Sequence, residues 1–418
     1  MTQLESARAG VVTPQMSQAA ADEGMPAETL RGLVAAGKAV IPANIHRPRE
    51  RSCAIGRALR VKVNANIGTS PMNDSVETEL EKLDAAVALG AEAVMDLSIA
   101  GKIRETRRRV LSCSPVMVGT VPVYQAMSEH GGCLSEVTGD HMIAALREHA
   151  EDGVDFVTVH CGVTRANAAK GENRLMGIVS RGGSFLAKWM DANGKENPLY
   201  ERYDEVLAIA KEHDVTLSLG DALRPGALHD AGDEAQFAEL ETLGLLAERA
   251  RKAGVQVMIE GPGHVPLDAV VAHIEAIDRF CGGAPSYVLG PLVTDRAPGY
   301  DHIAGAIGGA LAGFAGASFL CYLTPAEHLR LPTVEDVREG VIASKIAAHA
   351  ADIARGNPAA LKANREFSEM RRDFDWEGMF AHAIDPCKPR AYRSGSTHAA
   401  AAECSMCGEF CAMKKTGR

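Results

Sequence analysis

The sequence predicts an α/β fold: a closed (β/α)8 TIM barrel with a short N-terminal segment and a C-terminal helical region. Three observations carry this expectation. Eight apolar runs rich in β-branched residues alternate with seven helix-like stretches, nearly every run ends in a polar or glycine cluster, and 418 residues suit one barrel with additions at both ends. Strict alternation implies parallel strands, because each parallel pair needs a crossover of a dozen or more residues.

Residues 1–60 read as an N-terminal segment with helical periodicity over 15–36. The strand runs are 61–67, 93–97, 116–123, 154–159, 216–219, 255–259, 286–289 and 318–323. Helix-like stretches fall at 76–89, 104–111, 139–151, 203–213, 234–253, 267–280 and 304–313. Most are amphipathic, as in Glu239-Leu240-Glu241-Thr242-Leu243, and several stop at glycine. The stretch 177–183 also has strand character. Seventeen residues separate it from the fourth run, too few for a crossover helix with its loops, so it is assigned to a long fourth loop. The catalytic barrel is thereby placed at 61–332 and C-terminal helices at 333–393. Thr333, with Glu335 and Asp336 in the first turn, caps the helix expected over 333–355, and a second is expected near 359–372. Residues 394–418 read as a tail that begins with an Ala/Ser/Gly-rich flexible tether and ends in clustered cysteines. No internal repeat stands out.

The net charge of −10 argues against a general nucleic-acid or anionic-membrane surface. No membrane helix is expected, since the most apolar region, 303–320, is interrupted by five glycines. The first residues lack a basic start and an apolar core, so no secretory leader is expected and the chain is read as cytoplasmic. In that reducing compartment clustered cysteines are metal ligands more often than disulfides.

Catalytic groups of a barrel sit at the carboxyl ends of its strands. Here those ends carry Asn64 and Asn66, Met95 and Asp96, Tyr124, His160, Asp221 with Arg224, Glu260 with His264, Tyr287 with Asp295, and His328. Ser180-Arg181-Gly182-Gly183 and Asp221-x-x-Arg224 offer amides and two guanidiniums suited to a phosphate group; a turn with a surface salt bridge is the plainer alternative. His264 and His328 are candidate metal ligands across the mouth, or loop histidines with local partners. His160 either polarises a bound ring or completes a hydrogen bond.

Three of the ten cysteines stand within eight positions: Cys404, Cys407 and Cys411. Three thiolates leave one coordination position open, whereas a structural zinc site uses four protein ligands. The spacing therefore admits an iron–sulfur cluster with one free iron, a zinc knuckle borrowing a distant ligand, or idle thiols. The other seven cysteines are scattered, and most read as small core residues.

Several strings together resemble one family: Val63-Asn-Ala-Asn-Ile-Gly68, Gly119-Thr-Val-Pro-Val-Tyr-Gln-Ala126, Gly177-Ile-Val-Ser-Arg-Gly-Gly183, Glu260-Gly-Pro-Gly-His-Val-Pro266, Ala297-Pro-Gly-Tyr-Asp-His302 and Lys345-Ile-Ala-Ala-His-Ala-Ala-Asp352. From about residue 40 to the end the chain is similar to the phosphomethylpyrimidine synthases of thiamine biosynthesis (ThiC), noncanonical radical S-adenosylmethionine enzymes. The terminal Cys-Ser-Met-Cys-Gly matches that family's cluster motif. The resemblance implies a homodimer in which the C-terminal segment brings a 4Fe-4S cluster to a barrel binding 5-aminoimidazole ribotide. It implies substrate contacts from Asn66, Met95, Tyr124, His160, Ser180, Arg181, Gly182, Asp221, Ala222, Leu223, Arg224, Glu260 and Tyr287, with His160 and Glu260 catalytic. It further implies zinc at His264 and His328, the cluster on Cys404, Cys407 and Cys411, S-adenosylmethionine as cosubstrate, and an electron donor such as flavodoxin or ferredoxin. In such enzymes the reduced cluster cleaves S-adenosylmethionine to methionine and a 5′-deoxyadenosyl radical, which starts a rearrangement of the ribotide.

The chain departs from the family pattern in four places. The cluster motif has three residues before its last cysteine where long bacterial forms have four, and the extended N-terminal domain of those forms is missing. Ile99-Ala100 replaces Thr-Gly, and Ala222 replaces Gly. Both of the latter changes adjoin implied substrate positions. They keep open a second product, that of the related 5-hydroxybenzimidazole synthases, which turn the same ribotide into the cobalamin lower-ligand precursor.

Overall fold

A computed structural model of the chain describes residues 1–49, 51–395 and 403–415; the expected tether lies outside these from residue 396 to 402. Eight parallel strands form the predicted barrel: Lys62–Ile67 (β1), Ala93–Asp96 (β2), Met117–Thr120 (β3), Phe156–Val159 (β4), Thr216–Leu219 (β5), Val257–Gly261 (β6), Ser286–Leu289 (β7) and Phe319–Cys321 (β8). They follow one another in chain order, and β8 closes onto β1 by pairing Phe319 with Lys62 and Cys321 with Asn64. Helices cover the outer face and side chains fill the inner one, so most strand residues are buried. That double burial is why the runs read as continuously apolar.

Aromatic rings pack the barrel interior, with Phe319 4.4 Å from Tyr287 and 6.1 Å from Phe156, centroid to centroid. Gly119 on β3 makes room for them, since a Cβ there would lie 2.2 Å from the Phe156 ring.

The expected periodicity over 15–36 is divided into two helices, Pro14–Glu23 and Ala27–Ala35. Gly24, at φ 67°, turns the chain out of the first, and Pro26 directly precedes the second. With Gln3–Arg8 they enclose their own apolar cluster, which includes Met16, Leu30, Val34 and Ile41. Gln256, just before β6, ties this segment to the barrel. Its amide accepts from Ile41 N at 2.7 Å and donates to Ile41 O at 2.9 Å, in the manner of a strand partner. Gln256→Ala leaves both buried backbone groups unpaired, so the chain is expected to lose about 2–4 kcal/mol of stability. Urea denaturation with an unchanged m-value is the check.

Two elements near the mouth differ from expectation. The third strand ends at Thr120, and Pro122–Ser128 is a helix that carries Tyr124. Val121-Pro122-Val123 reads as extended by its β-branched residues. Proline at the first helical position has no N–H to lose and a preset φ, so it starts the helix instead. The stretch 177–183 forms no strand, in keeping with its assignment to the fourth loop, but its end opens a helix that was not anticipated: Ser180 caps Arg181–Asn193, accepting from Gly183 N at 3.2 Å.

The last barrel-side helix, Val334–Ala354, is followed by Pro358–Arg372, Trp376–His382 and Cys387–Ser394; the final two were not anticipated. The chain separates into two compact units, Met1–Ala351 and Asp352–Arg418. Among the described residues no helix is long and apolar enough to cross a membrane.

Candidate active site

The carboxyl ends of the strands enclose a cavity of about 480 Å³. Its floor is acidic. Glu260, near the end of β6, receives hydrogen bonds on Oε1 from Thr158 of β4 (2.7 Å) and Ser218 of β5 (3.2 Å). Asp221, two residues beyond β5, accepts from Arg224 Nη1 at 3.0 Å, while its Oδ2 has no hydrogen-bond partner among the described residues. Burial pushes the Asp221 carboxyl up to about 8 against the opposing pull of Arg224, and burial also raises Glu260. Asp221 therefore holds its proton in the folded chain at pH values where the unfolded chain has lost it. The stability it contributes is complete below about pH 4 and disappears as pH rises through about 8. Asp221→Asn is expected to flatten the fall in Tm between pH 4 and 9, which a calorimetric pH series measures.

His160, one residue past β4, is buried between two glycines. A Cβ on Gly182 would lie 2.4 Å from its ring, and one on Gly220 would lie 2.7 Å away. Burial, and then the Arg224 charge, push the imidazole down to about 3, so it is neutral near pH 7. Its Nδ1 has no partner among the described residues, and a buried polar atom without a partner beside a cavity is available to a ligand.

The opposite wall is a hydrogen-bonded chain. Asn64 Nδ2 donates to Tyr287 Oη at 2.8 Å and to Asn66 Oδ1 at 2.9 Å. Tyr287 Oη donates to Met95 Sδ at 3.3 Å, and Asn66 Nδ2 to Cys321 Sγ at 3.0 Å. Over the mouth, the Arg181 guanidinium stands 5.2 Å from the centroid of the Tyr124 ring, and burial raises the Tyr124 hydroxyl.

The cavity thus gathers Asn66, Met95, Tyr124, His160, Asp221, Arg224, Glu260 and Tyr287. Ser180 and Gly182 stand behind it as helix cap and His160 neighbour, while Arg181 lines an adjoining space of about 1180 Å³ that shares Asn66 and Leu97 with it. Ile99 faces that second space. Ala222 and Leu223 line neither; both are fully buried, and their amides are held by Glu239. The sequence reading missed Thr158, Ser218 and Glu239, and took Cys321 for an ordinary core residue. The first two had a legible signal: each lies two positions before a site residue on its strand, Thr158 before His160 and Ser218 before Gly220, hence on the same face.

His264 and His328 stand with ring centroids 5.7 Å apart. His264 Nδ1 meets Asp295 at 2.7 Å and His328 Nδ1 meets Asp301 at 3.2 Å. A carboxylate on each Nδ1 fixes the tautomer and leaves Nε2 as the acceptor, the arrangement that metal-binding histidines use. In the second unit, Cys404, Cys407 and Cys411 lie on successive turns: Gly408 N donates to Cys404 O (3.3 Å), Phe410 N to Cys407 O (2.9 Å) and Cys411 N to Gly408 O (3.1 Å). All three are free thiols, a donor set that suits an iron–sulfur cluster. Among the described residues no three or more His, Cys, Asp or Glu side chains are gathered as a metal site.

Comparison with known proteins gives the same direction across the whole length. The family model for the radical SAM ThiC family matches residues 2–418. The phosphomethylpyrimidine synthase of Moorella thermoacetica is 56% identical over 422 residues, covering 100% of this chain and 98% of that protein. Those of Pelotomaculum thermopropionicum (51% over 419 residues, 100% and 97% covered) and Geobacter metallireducens (54% over 419, 99% and 96%) are similar to the same extent. The chain belongs to the radical SAM ThiC family.

Proposed function

We propose that this member of the radical SAM ThiC family is a phosphomethylpyrimidine synthase. It converts 5-aminoimidazole ribotide to 4-amino-5-hydroxymethyl-2-methylpyrimidine phosphate for thiamine biosynthesis, as a carbon–carbon lyase. Full-length identity of 51–56% to three enzymes named for that activity carries the reading. It favours the pyrimidine over the benzimidazole product that the changes at 99–100 and 222 had left open.

Cys404, Cys407 and Cys411 would hold a 4Fe-4S cluster, which when bound with S-adenosylmethionine would supply the radical chemistry of the family. The remaining work is that of the barrel. Arg181 and Arg224 hold the ribotide phosphate. Neutral His160 offers Nδ1 to the imidazole ring, and Glu260, with its raised carboxyl, exchanges a proton with the rearranging substrate. Asn66, Met95, Tyr124 and Tyr287 fix the ring, and the enclosed cavity keeps water from the radical. His264 and His328, each with a carboxylate on Nδ1, would hold zinc through Nε2. We place the protein in the cytoplasm as a homodimer, reduced by flavodoxin or ferredoxin, and keep the division into segment 1–60, barrel 61–332, helices 333–393 and tail 394–418.

The test is anaerobic reconstitution, followed by incubation with reductant, S-adenosylmethionine and aminoimidazole ribotide. Phosphomethylpyrimidine together with 5′-deoxyadenosine is the expected result. A benzimidazole product would replace this reading, and absence of 5′-deoxyadenosine would overturn both. For the second metal, His264→Ala should lower bound zinc by tenfold or more in elemental analysis. The cluster iron should be unchanged.

A further inference from the structure

Glu239 lies on the helix Glu234–Ala253, outside the barrel wall, and only 2% of it is exposed. Its two carboxylate oxygens accept from consecutive amides, Ala222 N at 2.9 Å and Leu223 N at 2.6 Å. The nearest arginine in charge terms, Arg174, is committed to Asp233 at 2.7 Å. Burial accordingly pushes the Glu239 carboxyl well above the usual range, and the two amides work against that push. A buried carboxylate without a close cation is costly for a helix that only has to pack.

The turn that it grips is Asp221-Ala-Leu-Arg224, closed by Arg224 N donating to Asp221 O at 3.1 Å. Behind that turn is a small cavity bordered by Asp221, Glu239, Glu260 and His273. On its other side, Ala222 abuts the first turn of the helix Arg181–Asn193: a Cβ on Gly183 would lie 2.6 Å from that of Ala222. One carboxylate therefore controls where Asp221 and Arg224 stand, and through Ala222 it meets the helix that presents Arg181.

We propose that Glu239 is the positioning residue of the phosphate-binding half of the site, setting the Asp221–Arg224 turn against the Arg181 helix. The proposal rests on the reading of the mouth as a ribotide site. Only a carboxylate satisfies two adjacent N–H donors at once. Glutamine would turn its own N–H₂ toward one of them, and aspartate is a methylene too short to keep both.

The test measures ribotide binding to the full-length protein by calorimetry for wild type, E239Q, R224K and the double variant, alongside Tm. E239Q should bind about tenfold more weakly or worse. The double variant should lose less than the sum of the single losses, because both act on the same guanidinium. Binding by E239Q within twofold of wild type, or strictly additive losses, would overturn the proposal. If E239Q does not fold, E239D is judged by the same two criteria. A wild type that binds no ribotide would count against the functional reading instead, and inorganic phosphate titrated into wild type and E239Q then decides the positioning claim.

Discussion

Cys407→Ala, reconstituted without oxygen, is expected to form no measurable 5′-deoxyadenosine from S-adenosylmethionine. Three thiolates are the minimum that holds a cluster while leaving one iron open, so two cannot hold it firmly. Loss of a mere supporting partner of a metal already costs 10–100-fold in affinity or activity. Loss of a direct ligand should therefore exceed about 100-fold. The comparison is His264→Ala, which should keep its cluster iron. If the tail were a zinc knuckle, or if His264 and His328 alone supported a metal-dependent lyase, Cys407→Ala would turn over normally. Quantifying 5′-deoxyadenosine and bound iron on both variants separates these cases.

Arg224→Met is expected to weaken ribotide binding by about 100-fold. The guanidinium has two tasks, holding the Asp221 carboxyl group at 3.0 Å and, in our reading, pairing its charge with the substrate phosphate. Removing one partner of a desolvated charge pair costs about 2–5 kcal/mol, and about 3 kcal/mol corresponds to the stated factor. Arg224→Lys keeps the charge but loses the forked geometry, and should fall between the two. The Asp221 carboxyl, already pushed up to about 8, should rise further once its counter-charge is gone. Binding by Arg224→Met within threefold of wild type would remove Arg224 from the phosphate site.

The altered loops occupy different places in the molecule. Ile99 faces the space adjoining the mouth, where a substitution can change what fits. Ala222 is fully buried, and its methyl meets the Arg181 helix rather than a ligand. A Gly-to-Ala difference there acts on the spacing between two binding elements.

Local pattern determined the barrel. β-branched apolar runs broken by amphipathic helices have few ways to bury both faces, and eight of them close in chain order. The same logic placed His160, Asp221 and Glu260, because polar residues that end apolar strands of a barrel converge on one mouth. The cysteine cluster was legible because its three members are near in sequence. Two local misreadings had local causes: Val121-Pro122-Val123 carries strand propensity but starts a helix, and glycines concealed the helix behind Ser180.

Only the tertiary structure decided the rest, since the partners are far apart in the chain. Gln256 takes both backbone groups of Ile41, Asp295 and Asp301 orient His264 and His328, and Thr158 and Ser218 hold Glu260. Glu239 looks like any surface glutamate of an amphipathic helix until the fold brings it under the Asp221 turn. Hydrophobic periodicity reports which face a residue turns toward the core, whereas hydrogen bonds and charge pairs depend on what closure of the barrel places opposite it.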